Sequence, residues 1–401
     1  MREALEQPGL ISLAAGFTDN PSLPVAETQL IIKGLLKGKK GHSPLQYGTT
    51  HGDEPLRKLT AQRLARMDRR AKKGKHYKPD RVLITHGSQQ LLYILNEILF
   101  DPGDIVLVED PSYFVYLGIM QSHGVHGKGI RMEPDGLDLA SLETTLEKLK
   151  KTRQLTRLKA LYLVSYHSNP TGTTTCAAKK EAAMKILKKY EKASGHPLYL
   201  IEDAAYRELS FSGEDTPSAL SFHNAANRVV YTSTYSKPFA TGLRVGYGFL
   251  PEPLFTAAAR VKGNHDFGTA NFLQQILSSA VASGSYEKHV QKLRKRYASK
   301  SRAMTRACKK HFPKKVKWEI PEGGLYLWAN LPTKVKTGMK SKLFVEALKQ
   351  KVLYVPGNLC YCDDSTRRKP NHQMRLSFGN ASIKDIEEGI TRLGRAIKKV
   401  I

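Results

Sequence analysis

Between Arg81 and Gly248, short apolar runs alternate with longer stretches in which apolar residues return every three to four positions. A short continuous or alternating apolar run marks a strand, and the longer period marks a helix with one buried face. Arg81-Val-Leu-Ile-Thr85 predicts a strand, followed by an apolar-rich helix over Gln89–Leu99. Further strands are predicted at Asp104–Val108, Ala160–Tyr166, Leu198–Ile201, Arg228–Tyr231 and Arg244–Leu250. The alternation predicts an α/β fold, with a large domain built on a mostly parallel mixed sheet flanked by helices. After a helical stretch to about Tyr297 the pattern turns to a smaller α+β unit. That unit has strands at Gly323–Trp328 and Met374–Phe378, a helix around Ser341–Lys351 and a last helix from Ile383. The expected division is 1–40 as an N-terminal segment packing with the small domain, 41–290 as the large domain and 291–401 as the small one.

Ligands of open α/β sheets bind beyond the carboxyl ends of the strands, so the residues there carry the candidate chemistry. Lys237 follows Tyr231-Thr-Ser-Thr-Tyr-Ser at a strand-to-loop junction that would point a single amine inward. Such a lysine can give up its proton and form a Schiff base with a carbonyl. His86-Gly87-Ser88-Gln89 offers helix N-terminal amides and a hydroxyl, an anion site in one reading and an ordinary helix start in another. Asp203 closes a strand as a cap, an ion-pair partner or a carboxylate for a cationic ring nitrogen. Glu202 precedes it, and alternation lets one of the two face a site. Asn169 opens Asn-Pro-Thr-Gly172 as a side-chain donor or a plain turn. Tyr113 offers a ring face or a core side chain, and Arg375 a fork for a carboxylate or a surface strand residue. Amine, phosphate cradle, ring platform and acid are the parts that pyridoxal phosphate requires of a protein.

Composition changes this picture little. The chain has 401 residues, 40% hydrophobic and 25% charged, which suffices for two domains with a large core. No apolar stretch is long enough to cross a bilayer. The N-terminus carries Glu3 and Glu6 without a sustained apolar core and does not read as a signal peptide. Four cysteines without a regular framework favour a cytoplasmic location. The charge is unusual: 64 Lys+Arg against 36 Asp+Glu give +28, concentrated in the acid-free stretch Gln291–Lys317 and in the block Arg66–Lys78. Excess of this kind suits nucleic acid or acidic membranes. No zinc-finger spacing, RNA-binding aromatic signature or helix-turn-helix accompanies it, so solvated helix faces are the better reading and nucleic acid is not an expected partner. Cys360-Tyr-Cys362 with His372, and His123 with His126 in a Gly-rich loop, do not form a metal-ligand pattern. A Gly-x-Ser-x-Gly elbow is also missing.

Several motifs in order carry a resemblance: Ile11-Ser-Leu-Ala-Ala-Gly16, Ser168-Asn-Pro-Thr-Gly172, Asp203-x-x-Tyr206, Ser236-Lys237 with Gly242-Leu-Arg244, and Met374-Arg-Leu-Ser-Phe378. Nearly end to end, the chain resembles the fold-type I pyridoxal-phosphate enzymes, specifically the class I/II aminotransferases. It is most similar to the kynurenine/aminoadipate aminotransferases and to the aminotransferase-like half of the MocR regulators. The resemblance implies that Lys237 carries the cofactor and moves the proton, that Asp203 pairs with the ring nitrogen, and that Tyr113 stacks on the ring. It places Asn169 and Tyr206 on the ring hydroxyl oxygen. Gly87, Ser88, the Gln89 backbone, Thr234, Ser236 and Arg244 would hold the phosphate, and Tyr47 would reach it from the partner subunit of a homodimer. Arg375 and Asn169 would grip the substrate α-carboxylate beside the Gly16 backbone. Thr234 stands where Ser is frequent, and Thr241 where Pro is common.

The implied activity is transfer of an amino group from an amino acid to a 2-oxo acid such as 2-oxoglutarate. The same apparatus serves C–S lyases, decarboxylases and racemases, because the outcome depends on which α-bond stands perpendicular to the ring. A non-catalytic MocR-like effector-binding module is the alternative outside catalysis. Phe17, Tyr47, Tyr113, Tyr326 and Leu327 are expected to line a pocket for aromatic or aliphatic donors, with no arginine beyond Arg375 assigned to a side-chain carboxylate.

Overall fold

A computed structural model describes residues 8–69, 77–223, 225, 227–364 and 366–401. Glu3, Glu6 and the 70–76 part of the basic block Arg66–Lys78 lie outside the described residues. The apolar runs form an eight-stranded sheet in the spatial order Val82–Thr85, Gly246–Phe249, Val229–Thr234, Tyr199–Asp203, Leu158–Val164, Ile105–Asp110, His126–Glu133, Gly136–Leu137. Pairing is parallel from Val229–Thr234 through to His126–Glu133, while Gly246–Phe249 runs against both of its neighbours. Leu107, Leu161, Leu163 and Leu200 enter the core on one face of the sheet. Val106, Val108, Tyr162 and Ile201 enter the core on the other. Both faces are covered, which is why these strands are apolar throughout instead of alternating.

A second, antiparallel sheet joins Lys317–Trp318, Tyr326–Asn330, Gln373–Ser377 and Val355–Pro356. The helix Ile383–Lys398 lays Ile386, Ile390, Leu393 and Ile397 into the core beneath it. Near the N-terminus, Ile11–Ser12 pairs with Val352–Leu353, and Leu13 joins the same core.

Two elements differ from the sequence reading. The helix expected to end near Tyr297 runs unbroken from Ser285 to His311. Tyr286 and Val290 pack into the large core, and Leu293, Tyr297 and Met304 into the small one. Their helical spacing is hidden in the sequence by the cations of the exposed face. The Gly-rich stretch holding His126 is a strand, His126–Glu133, whereas His123 follows the helix Phe114–Ser122, so the two histidines do not share a helix. A Cβ on Gly127 would come within 2.7 Å of Met120 Cε and 2.9 Å of Cys362 Cβ, so close packing excludes a larger residue there. Among the described residues no helix is long and apolar enough to cross a membrane.

Candidate active site

The strand Val229–Thr234 ends at the loop that presents Lys237. The Lys237 amine donates to the Gly16 carbonyl at 2.9 Å, tying the N-terminal segment to the large sheet. Burial holds this amine below the ordinary lysine value; Tyr326 opposes the effect, and the charges of Arg244 and Arg375 add to it. Gly16 approaches so closely that a Cβ there would lie 2.6 Å from the Tyr326 hydroxyl. Tyr326 in turn shares a 3.0 Å hydrogen bond with Tyr206.

Asp203, at the end of Tyr199–Asp203, is buried and accepts from the Tyr162 hydroxyl at 2.9 Å and from the Ala205 amide at 3.1 Å. Burial nevertheless raises its pKa to about 6, with those two hydrogen bonds pulling the other way. A buried carboxylate in this state is favourably matched by a cation such as a protonated ring nitrogen. Glu202 faces the opposite side, where it accepts from Lys180 Nζ at 3.0 Å and the Ala219 amide at 2.7 Å. The sheet thus turns Asp203, not Glu202, toward the site.

The helix Gly87–Leu99 starts without a side-chain cap. Around its first turn stand Ser236 and Arg244, with Arg244 Nη1 3.4 Å from Ser236 Oγ. A Cβ on Gly87 (φ +73°) would lie 2.7 Å from Arg244 Nη2, and one on Gly246 would lie 2.3 Å from the Ser88 nitrogen. Helix amides, a hydroxyl and a guanidinium thus converge on a space that only glycine leaves open, and this donor set fits a phosphate group. Thr234 shapes the loop that carries Ser236. Its hydroxyl donates to the Val245 carbonyl at 3.1 Å and accepts from the Ser236 amide at 3.0 Å, so its proton is committed to shaping the loop. Tyr47, which the resemblance assigns to the other subunit's cradle, is 82% exposed, with its ring edge-on to Phe267 at 5.5 Å.

Arg375, on Gln373–Ser377, is buried between the rings of Phe114 and Tyr326, its guanidinium 5.3 and 4.4 Å from their centroids. It donates to Asn169 Oδ1 at 2.7 Å and to the Ala14 carbonyl at 2.6 Å, while its buried Nε has no partner among the described residues. An unsatisfied buried guanidinium N–H is costly, and a carboxylate arriving in the fork relieves it. The Tyr113 phenol is raised mainly by burial, with Tyr326 and Asp203 adding, which sets it among these groups. Leu327, expected to line the pocket beside Tyr326, instead enters the small core, because neighbouring strand residues point to opposite faces.

Sequence reasoning missed Phe114, Tyr162 and Glu109. Glu109 is fully buried, accepts from Ser168 Oγ at 3.2 Å and is raised by burial to about 8. A carboxylic acid within the Glu-Asp-Pro at a strand end was its available signal; Tyr162 is masked by the apolar strand around it.

These groups suit an enzyme that handles amino acids on pyridoxal phosphate, and comparison with known proteins gives the family. The profile of aminotransferase class I and II matches residues 9–393, and the chain belongs to that family. It is 32% identical to aromatic-amino-acid aminotransferase 1 of Thermococcus litoralis, over 98% of this chain and 89% of that one. It is 30% identical to the 2-aminoadipate transaminase of Thermus thermophilus, over 99% and 92%. The crystal structure of Pyrococcus horikoshii kynurenine aminotransferase superposes with a TM-score of 0.89 at 31% identity, covering 99% of this chain and 94% of that one. The protein is a pyridoxal-phosphate-dependent aminotransferase, with amino acids and 2-oxo acids as substrates.

Proposed function

We propose that the enzyme uses Lys237 as its cofactor lysine and proton carrier and takes aromatic or aliphatic amino acids as donors. The observation carrying the first part is the Lys237 amine, which donates to the Gly16 carbonyl at 2.9 Å and is held below the ordinary lysine value by burial and by the charges of Arg244 and Arg375. Bound pyridoxal phosphate supplies a reactive carbonyl and an electron-withdrawing ring. The Gly87–Gln89 turn, Ser236 and Arg244 would hold its phosphate, Asp203 its ring nitrogen, Asn169 and Tyr206 its ring hydroxyl, and Tyr113 its face. Arg375 orients the donor by its α-carboxylate, and Lys237 then moves a proton from the α-carbon at short range.

Donor choice rests on the rings of Phe114, Tyr113 and Tyr326 around Arg375, with Arg244 committed to the phosphate end. Relatives named for aromatic amino acids and kynurenine support this reading, and the 2-aminoadipate relative sets the contrast. With 2-oxoglutarate as acceptor, phenylalanine or leucine should exceed aspartate and 2-aminoadipate in kcat/KM by about tenfold or more. A donor panel in which 2-aminoadipate leads would sink the preference.

We further propose a homodimer in which Tyr47 of the partner subunit completes the cradle. Leu30, Leu45, Tyr47 and Phe267 are 72%, 67%, 82% and 58% exposed, an apolar surface that association would cover. Sedimentation should show twice the chain mass, with Tyr47→Ala weakening cofactor retention; a fully active monomer contradicts the assignment.

A further inference from the structure

A cavity of about 640 Å³ lies between the helix Glu54–Met67, the segment 207–215 and the long helix Ser285–His311. Its volume falls in the range of small-molecule sites. The long helix contributes Arg294, Lys295 and Arg302, which reach one cavity because Arg302 lies about two helical turns beyond the adjacent pair Arg294 and Lys295. Between these cations the helix carries Ala298 and Ser299, whose small side chains leave the floor open.

The cations differ in their state. Across the cavity, Arg63 is paired with Glu208 and Glu287, and Arg207 with Asp68 and Asp215, so their charges are met within the fold. Arg294 has its Nε fixed by the Glu208 carbonyl at 2.8 Å, and Arg302 donates to Ser299 Oγ at 3.2 Å. Both partners are uncharged. Arg294, Lys295 and Arg302 have no carboxylate partner among the described residues. The effect of Arg294 is felt at His167, whose imidazole is held down to about 4, mainly by burial and further by that guanidinium. In this cavity three such cations converge on a concave space beside fixed hydrogen-bonding groups.

We propose that this cavity is a second binding site, separate from the cofactor cradle, for a small multivalent oxyanion bearing phosphate or several carboxylates. Guanidinium forks match the planar oxygens of such groups two at a time, and an ammonium adds a point charge. The concavity favours a small ligand over a nucleic-acid duplex, whose backbone would meet only the exposed rim. The segment 207–215 that forms one wall follows directly on Tyr206, and its Ser210 bridges to Gly323 just before Tyr326. A ligand here would therefore press on the chain that carries the Tyr206–Tyr326 hydroxyl pair.

Calorimetric titration of the cofactor-loaded enzyme tests the proposal, since the cradle is then filled. Pyrophosphate and citrate serve as probes, with sodium chloride matched to equal ionic strength, and their ranking separates a phosphate ligand from a polycarboxylate. We expect one equivalent of at least one probe per chain, and about tenfold or greater weakening in the double variant Lys295→Ala/Arg302→Ala. Both residues are exposed, so the melting temperature and basal turnover should be retained. The variant Lys314→Ala/Lys315→Ala, with equal charge loss outside the cavity, should bind as the wild type does. Heat no greater than that of the matched salt, equal weakening in both double variants, or binding confined to heparin would overturn the proposal.

Discussion

Replacing Lys237 by alanine is expected to lower kcat by at least about 10³-fold with saturating cofactor and substrates. Two roles are lost together, the covalent hold on the cofactor and the short-range carrier for the α-proton. The fold should survive, because among the described residues the amine makes a single hydrogen bond, to the Gly16 carbonyl. Thermal melting and far-ultraviolet dichroism close to wild type would show that the loss is chemical. Lys237→Arg sharpens the test, since arginine keeps the charge but cannot give up its proton. It should be as inactive as the alanine variant, whereas a small free amine added to Lys237→Ala should restore part of the rate. If either variant kept a tenth of wild-type turnover, Lys237 would have to leave the mechanism.

Asp203→Asn should cost about 10²- to 10³-fold in kcat and loosen the cofactor. The carboxylate sits in a buried setting that raises its pKa to about 6, mainly by burial. Its attraction for a cationic ring nitrogen is present above that pKa. As pH falls through about 6 in the cofactor-free protein, the carboxylate takes up a proton and the attraction is lost. Cofactor affinity of the wild type should therefore weaken from pH 7 to pH 5. Asparagine keeps the acceptor for Tyr162 but has no charge to lose, so its weaker affinity should be nearly flat over the same interval. Equilibrium titration of the apoenzyme followed by cofactor fluorescence measures both curves. Parallel curves would show that the acid-side change originates elsewhere.

The parallel strands were legible because both of their faces are buried, leaving near-continuous apolar runs such as Leu158–Val164. The pair Glu202-Asp203 was legible as a choice, but the sheet had to decide it, through Tyr162 on one face and Lys180 on the other. His126–Glu133 escaped notice because its glycines answer to close packing, Gly127 with Met120 and Cys362 and Gly129 with Asp110 and Arg367, contacts that no local pattern records. The resemblance places the Thr234 hydroxyl at the phosphate; its bond to the Val245 carbonyl, set by the fold of the following loop, could not be read from the sequence. The resemblance already brings Arg375 and Asn169 together, 206 positions apart, but their direct hydrogen bond had to come from the fold.

The hydrogen bond from Arg375 to the Ala14 carbonyl joins residues 361 positions apart. Synthesis runs from the N-terminus, so Lys237, Asp203 and the Gly87–Gln89 turn all leave the ribosome well before Gln373–Ser377 is made. Of the residues proposed for the site, Arg375 is the last to be synthesised. The large sheet can therefore take shape before the residue proposed to recognise the amino acid's carboxylate has been made.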